Sequence, residues 1–508
     1  MAKKFYPLGR SLLLLFLSIT WLQAEITPDS LPAFPGAEGF GAVTPGGRGG
    51  RVIKVTNLET NGPGSLQEAA SAEGPRIVVF EVSGVIPGDV TIEHSRISIM
   101  GQTAPGAGIT IKGMLVTPYT EDGSITIEDM MLRFLRVRPD PIPGVSWADA
   151  IQFSKIRRCV LDHVSCSWSS DETVDWYGAR ESTIQWCTIE ESDTEGHPDG
   201  RHNYGLINGP DGEKFTIHHT LFAHHSRRCP AVANGPADVR NLVVYNFRDG
   251  FLHDNPPNNL GFNIIGNYYK AGPSEPSIFP FCFEGKTSYY LRDNYIAGVG
   301  IVQDPWAEKD KLYGLQYYAQ YGVKARKETE VPQVTTHSPL EAYELVLDQA
   351  GCFPRDTVSR RTVSEVRSGT GSWGRHDPGD LMAGLKPEAP PVDRDNDGMA
   401  DSWERANGLN PADSSDYNKV MGSGYTAIEE YCNLLATRLV ETRGSLPPRR
   451  YDFSGDIDFT VADAVALILL SREEPDNSEL DVDTSGRYTV ADVIRLLLIM
   501  KNYQRRSQ

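Results

Sequence analysis

The sequence predicts an all-β, right-handed parallel β-helix (a solenoid), followed by a small α-helical C-terminal domain. Three observations carry this. Between about Arg51 and Ile301, short apolar runs alternate with turn residues, and no long 3.6-residue periodicity intervenes. An Asn-aromatic step recurs at Asn246-Phe247, Asn267-Tyr268 and Asn294-Tyr295, at a spacing that suits stacked coils. The C-terminal segment repeats an acidic loop and an apolar helix 29 residues apart, from Asp452 and from Asp481. A β-sandwich is the runner-up for the body, but its strands would alternate more clearly.

The elements follow in order. Lys3, Lys4 and Arg10 precede an apolar run from Ser11 to Leu22, with the small Ala24 after it. That pattern predicts a secretory signal peptide over residues 1–24, hence a secreted protein. The run is too short to span a bilayer, and no longer apolar stretch exists, so no membrane partner is expected. Residues 25–385 form the expected solenoid. Its strand-like runs begin at Arg76, Ile109, Ser124, Thr183, Phe215, Leu242 and Phe262. Gly 48 and Pro 34 supply the turns. Residues 340–365 read as helical and are expected against the solenoid. Seven scattered cysteines read as buried small side chains rather than a disulfide framework, with one bridge left open.

Residues 386–448 form a linker that opens on Pro387-Glu-Ala-Pro-Pro-Val. Residues 449–508 form the terminal domain. The formal net charge is −18, which argues against a nucleic-acid partner. From Glu388 onward there are 22 acidic and 13 basic residues, and their spacing predicts cation sites. Asp393, Asp395, Asp397, Asp401 and Glu404 hold positions 1, 3, 5, 9 and 12 of an EF-hand-like loop, with Gly398 at position 6. Hard oxygen ligands in that number suit Ca²⁺. In the terminal duplication, Asp452, Ser454, Asp456 and Asp463 make one candidate calcium loop. Asp481, Asp483, Ser485 and Asp492 make the other. Each loop leads into one apolar helix, without the leading helix of an EF-hand. The pair resembles a type I dockerin, which implies docking onto a cohesin-bearing scaffold protein. Ile457 stands where that family carries a loop glycine, and Ser454 and Ser485 stand where it carries Asn or Asp.

The solenoid carries Ala33-Phe-Pro-Gly-Ala-Glu-Gly-Phe-Gly, Gly46-Gly-Arg-Gly-Gly, Gly101-Gln-Thr-Ala-Pro-Gly, Leu161-Asp-His, Ser167-Trp-Ser and Gln185-Trp-Cys, in that order. Over roughly residues 33–370 it resembles the family 1 pectate lyases, a family of polysaccharide lyases. The resemblance implies a polyuronide (pectate) substrate cut by β-elimination, in which C5 loses its proton and the C4–O bond breaks. Calcium would neutralise the neighbouring carboxylate and stabilise the enolate-like state. The family's calcium ligands fall on Asp149, Asp171 and Asp175, and its catalytic arginine on Arg228, in Arg228-Cys-Pro. Arg227 is the alternative basic residue, and His202 and Asn203 fall near a family substrate-binding lysine. Trp147 and Ala233 depart from family acidic and basic positions. Two other readings are a β-helical glycoside hydrolase using Asp171, Glu172 and Asp175, and a non-catalytic carbohydrate-binding protein.

Overall fold

The computed structural model describes residues 31–504 except 121, 123, 254–260, 285–286, 319–320, 447, 475–476 and 486. The signal peptide expected over residues 1–24 lies outside the described residues. The body is a parallel β-helix. Among the described residues, an 11-stranded, a 10-stranded and a five-stranded sheet run along it, with Asp249–Leu252 and Phe279–Cys282 pairing in a separate two-stranded sheet. Pairing is parallel except where Asn294–Ile296 meets Gly300–Val302. No described helix is long and apolar enough to cross a membrane.

In the largest sheet, Val78 and Phe80 point into the solenoid while Ile77 and Val79 point outward into a second apolar cluster. Met130 and Leu132 likewise face in, and Met131 faces out. Both faces are covered, so the strands read as continuous apolar runs without alternation. The run expected from Ser124 starts later, at Glu128, and continues to Arg133.

One left-handed residue turns the chain from the largest sheet into the ten-stranded one in each of seven successive coils. These are Phe134, His163, Trp186, His219, Asn241, Gly266 and Asp293. None is β-branched, a side-chain type that this backbone region disfavours. The rings of the first four stack along the axis, with centroids 4.8 Å apart for Phe134–His163 and 4.3 Å for Trp186–His219. Past the corner, Asn267 Nδ2 donates to Asn294 Oδ1 at 3.0 Å, so the 27-residue spacing is one coil. Asn246 lies outside that row: Tyr245 pairs with Lys270, and Val243 with Tyr268. The 21-residue spacing is therefore a coincidence of sequence.

The glycine-rich N-terminal segment lies across the sheet. A side chain at Gly41 would collide with the backbone of Cys159 and Thr183, and one at Gly47 with that of Arg76. Two helices, Pro339–Gln349 and Thr357–Ser368, cover the ten-stranded sheet through Val346, Leu347, Ala350 and Val366. All seven cysteines are buried.

Residues 386–448 are no extended tether. Met399, Trp403, Ile428 and Tyr431 pack on Phe34, Ile77 and Val79, and the helix Ala427–Glu441 runs over the outer face. In the terminal unit, the helices Val461–Glu473 and Val490–Gln504 bury Leu467 and Leu496, equivalent residues of the two repeats.

Candidate active site and cation sites

The five-stranded sheet brings the solenoid's candidate residues together. Ile151 pairs with Val174, and Glu172 with Tyr204, while Tyr204 bridges Arg227 on the next coil. That register stacks Asp149, Glu172, Tyr204 and Arg227 on consecutive coils at the same edge. Asp149, Asp171 and Glu172 each offer a carboxylate oxygen within 4.8 Å of the others. Asp149 is 2% exposed, and its Oδ1 has no hydrogen-bond partner. Burial pushes its carboxyl well above the usual range, with Asp175 and Asp171 adding repulsion and Arg228 opposing. Burial raises Asp175 to about 7, against a backbone N–H from Tyr177 at 2.9 Å. Asp171 is raised by burial, while His197, His202 and Arg228 pull it down.

Crowded, desolvated carboxylates of this kind fit a cation. Glu172 joins the cluster, a residue the sequence reading used only for the hydrolase alternative. Its position inside a strand gave no signal for a ligand.

Arg228 is ion-paired with Glu172 and lies 4.8 Å from the Tyr204 ring centroid. Its left-handed backbone (φ 61°) swings it off the strand line toward the acidic edge. Arg227 instead donates from Nε to Asp249 Oδ2 at 2.8 Å, a carboxylate it shares with Arg248. His202 stacks on His197 with centroids 3.8 Å apart, and His197 Nε2 is 3.9 Å from Asp171 Oδ2. These two imidazoles and Asp171 form a second close group. His197 sits in an irregular loop and carried no sequence signal. Asn203 is closed to solvent, at 0% exposure, and its side-chain amide has no protein partner. Trp147 is 56% exposed, and Ala233 is buried.

In the linker loop, Asp393 accepts backbone N–H bonds from Asn396, Asp397 and Gly398 and pairs with Lys54 at 2.9 Å. Asp395 and Asp397 lie beside it. Asp401, expected as a ligand, is turned to its basic neighbours. It accepts from Arg394 N at 2.8 Å and Arg405 Nη2 at 3.2 Å. Asp416, twelve residues beyond the end of the loop, groups with Asp397 and Glu404 instead. Only the fold brings it there. Burial raises Glu404 to about 9 and Asp397 to about 7, with the other loop carboxylates adding repulsion.

In the first terminal loop, Asp452, Asp456 and Asp463 converge within 4.8 Å. Ser454 donates from Oγ to Asp463 Oδ1 at 3.1 Å, so it braces a carboxylate. The second loop repeats the wiring: Asp483 N donates to Asp492 Oδ1 at 3.0 Å, as Ser454 N does to Asp463 Oδ1 at 3.2 Å. Ser485 N donates to Asp481 Oδ1 at 2.8 Å. Ile457 adopts φ 62° and is 2% exposed, packed in the linker cluster. A glycine would fill the loop position but leave that cluster empty.

No family model matches the chain. Among curated proteins, it is 34% identical over 446 residues to the probable pectate lyase C of Aspergillus fumigatus, covering 83% of this chain and 97% of that protein. It is 35% identical over 432 residues to the probable pectate lyase C of Aspergillus terreus, covering 80% and 94%. Among solved structures, a thermostable pectate lyase aligns over 62% of this chain and 97% of its own, at 14% identity and a TM-score of 0.47.

Proposed function

Because the chain belongs to the pectate lyases and is thus a polysaccharide lyase, we propose that it cleaves polygalacturonate by calcium-assisted β-elimination, with Arg228 taking the C5 proton. One observation carries this reading: the carboxylates of Asp149, Asp171 and Glu172 converge on one sheet edge with Arg228 paired to Glu172, and the charge of Asp175 bears on Asp149. Asp149, Asp171 and Asp175 are the residues that would hold the calcium. The all-oxygen donor set and the unpartnered Asp149 Oδ1 fit that ion. When bound, it supplies positive charge against the substrate carboxylate and the charge developing at C5.

The chain's own groups do the rest. Arg228 is held over Tyr204 at the acidic edge, within reach of a sugar ring seated there. Its pairing with Glu172 favours the protonated guanidinium, so proton abstraction calls for alkaline pH. His202, beside Asp171, is the better placed of the expected substrate contacts, since Arg227 is committed to Asp249. The N-terminal signal makes the enzyme secreted.

The terminal unit we read as a dockerin-like module that attaches the enzyme to a cohesin-bearing scaffold. Two exposed apolar rows support this. Val461, Val465, Ile468 and Leu469 recur 29 residues later as Val490, Ile494, Leu497 and Leu498, and all eight are exposed. Such a surface suits a partner.

Polygalacturonate with Ca²⁺ at alkaline pH is expected to yield an unsaturated, ultraviolet-absorbing product, and Arg228→Ala to abolish it with circular dichroism unchanged. Saturated products insensitive to chelator would select a glycoside hydrolase instead. Binding without cleavage would select a non-catalytic protein.

A further inference from the structure

We propose that the linker holds a calcium site of its own, built by Asp395, Asp397, Glu404 and Asp416, which seats the linker on the solenoid. This site stands apart from the lyase chemistry.

The first ground is a set of oxygens with nothing to bind. Both oxygens of Asp395, Asp397 Oδ2, both oxygens of Glu404 and Asp416 Oδ1 are buried and have no hydrogen-bond partner. Buried polar atoms are almost always paired, and here six are left together. The second ground is Glu404 itself. It is 0% exposed, neither of its oxygens has a hydrogen-bond partner, and an oxygen of Asp397 and one of Asp416 lie within 4.8 Å. A buried carboxylate without a donor or counter-charge is costly. The cations that could serve are engaged elsewhere. Arg394 and Arg405 pair with Asp401 and Glu474, and Lys54 with Asp393 and Glu81.

The donor set chooses the ion. Six carboxylate oxygens, with no nitrogen or sulfur, match the coordination number and hardness of Ca²⁺. Mg²⁺ keeps several waters and suits a site with fewer protein ligands. The ligand set also departs from the EF-hand spacing. Asp393 is spent on the loop's own backbone and on Lys54, Asp401 is spent on arginines, and Asp416 enters from outside the loop.

The loop's geometry links the ion to the fold. Gly398 (φ 95°) passes against Val52, Val79 and Ile428. Met399 and Trp403, between the ligands in sequence, enter the cluster with Ile77 and Val79. An ion that fixes residues 395–404 therefore fixes these side chains against the largest sheet. Asp416 is itself held by Asn410 N, which donates to its Oδ2 at 2.8 Å.

The test uses the full chain, freed of metal and titrated with Ca²⁺. Bound calcium is counted by elemental analysis after gel filtration, and Tm is followed against Ca²⁺ concentration. Asp416→Asn is expected to lose one calcium per chain and to raise the Ca²⁺ concentration for half of the Tm rise at least tenfold. Asp401→Asn is expected to keep the wild-type count and to shift that midpoint less than threefold. Asp395→Asn, at a carboxylate with no protein hydrogen bond, guards against misfolding and should behave as Asp416→Asn does. The proposal is overturned if Asp416→Asn and Asp395→Asn keep the wild-type count. It is equally overturned if Asp401→Asn loses the ion as they do.

Discussion

Arg228 and Asp149 show how little of a side chain's role lies in its own identity. An arginine is ordinarily protonated, and Glu172 beside it favours that state. An aspartate is ordinarily ionised, yet burial and two like neighbours drive Asp149 toward its neutral form. Removing one ligand oxygen should weaken the ion more than the chemistry. Asp149→Asn is expected to raise the Ca²⁺ concentration for half-maximal lyase rate at least tenfold, with much of the rate recovered at saturating Ca²⁺. Rate measured against free Ca²⁺ checks it. Arg228→Lys keeps a cation but loses the planar guanidinium. If Arg228 is the base, this change lowers kcat by about 10²-fold or more, on the scale of general-base contributions.

At the level of elements, the corner row and the terminal loop place unusual residues for packing reasons. Ile457 is held in the left-handed region, where a β-branched side chain is strained by about 1–2 kcal/mol. Its burial among Met399, Trp403 and Tyr431 offsets that strain. Ile457→Gly should relieve the strain yet leave a cavity, for a net loss of about 1–3 kcal/mol. Faster proteolytic release of residues 449–508 would report it, and unchanged release would contradict it. The adjacent histidines invite a metal reading, but both are buried, and His219 stacks on Trp186 at the corner. Their ring nitrogens are taken up by one another, with His218 Nδ1 at 2.8 Å from His219 Nδ1 and His219 Nε2 at 2.8 Å from His337 Nδ1.

For the molecule as a whole, buried histidines set an acid limit. Burial lowers His218 to about 3, with Arg240 adding and Asp162 opposing. It lowers His225 to about 4, with His224 adding and an Ile189 carbonyl opposing. His219 is lowered as well, by burial and then by His218 and His337. All three stay neutral in the native state, while the unfolded chain protonates them below about 6.5. Above that pH they contribute no pH dependence. As pH falls from about 6.5 toward 4, each removes stability by up to about 1.4 kcal/mol per pH unit. Tm measured at constant ionic strength should fall over that window and be flat for this reason above it.

The covalent order of residues determined the strand-rich body, the turn spacing, the acidic loops and the terminal duplication. Each rests on local rules: period, turn chemistry and ligand spacing along the chain. The motif residues Asp149, Asp171, Asp175 and Arg228 were also legible, because they sit in short, recognisable runs. What the sequence left open was set by coil stacking. Register brought Glu172 to Asp149, and put Arg227 on Asp249. Packing made the expected linker a cover for the largest sheet, turned Asp401 to Arg394 and brought Asp416 to Glu404. Ligands adjacent in sequence can be read from spacing. Ligands contributed by separate coils, and carboxylates claimed by a neighbouring arginine, are decided only when desolvation and charge act across the folded molecule.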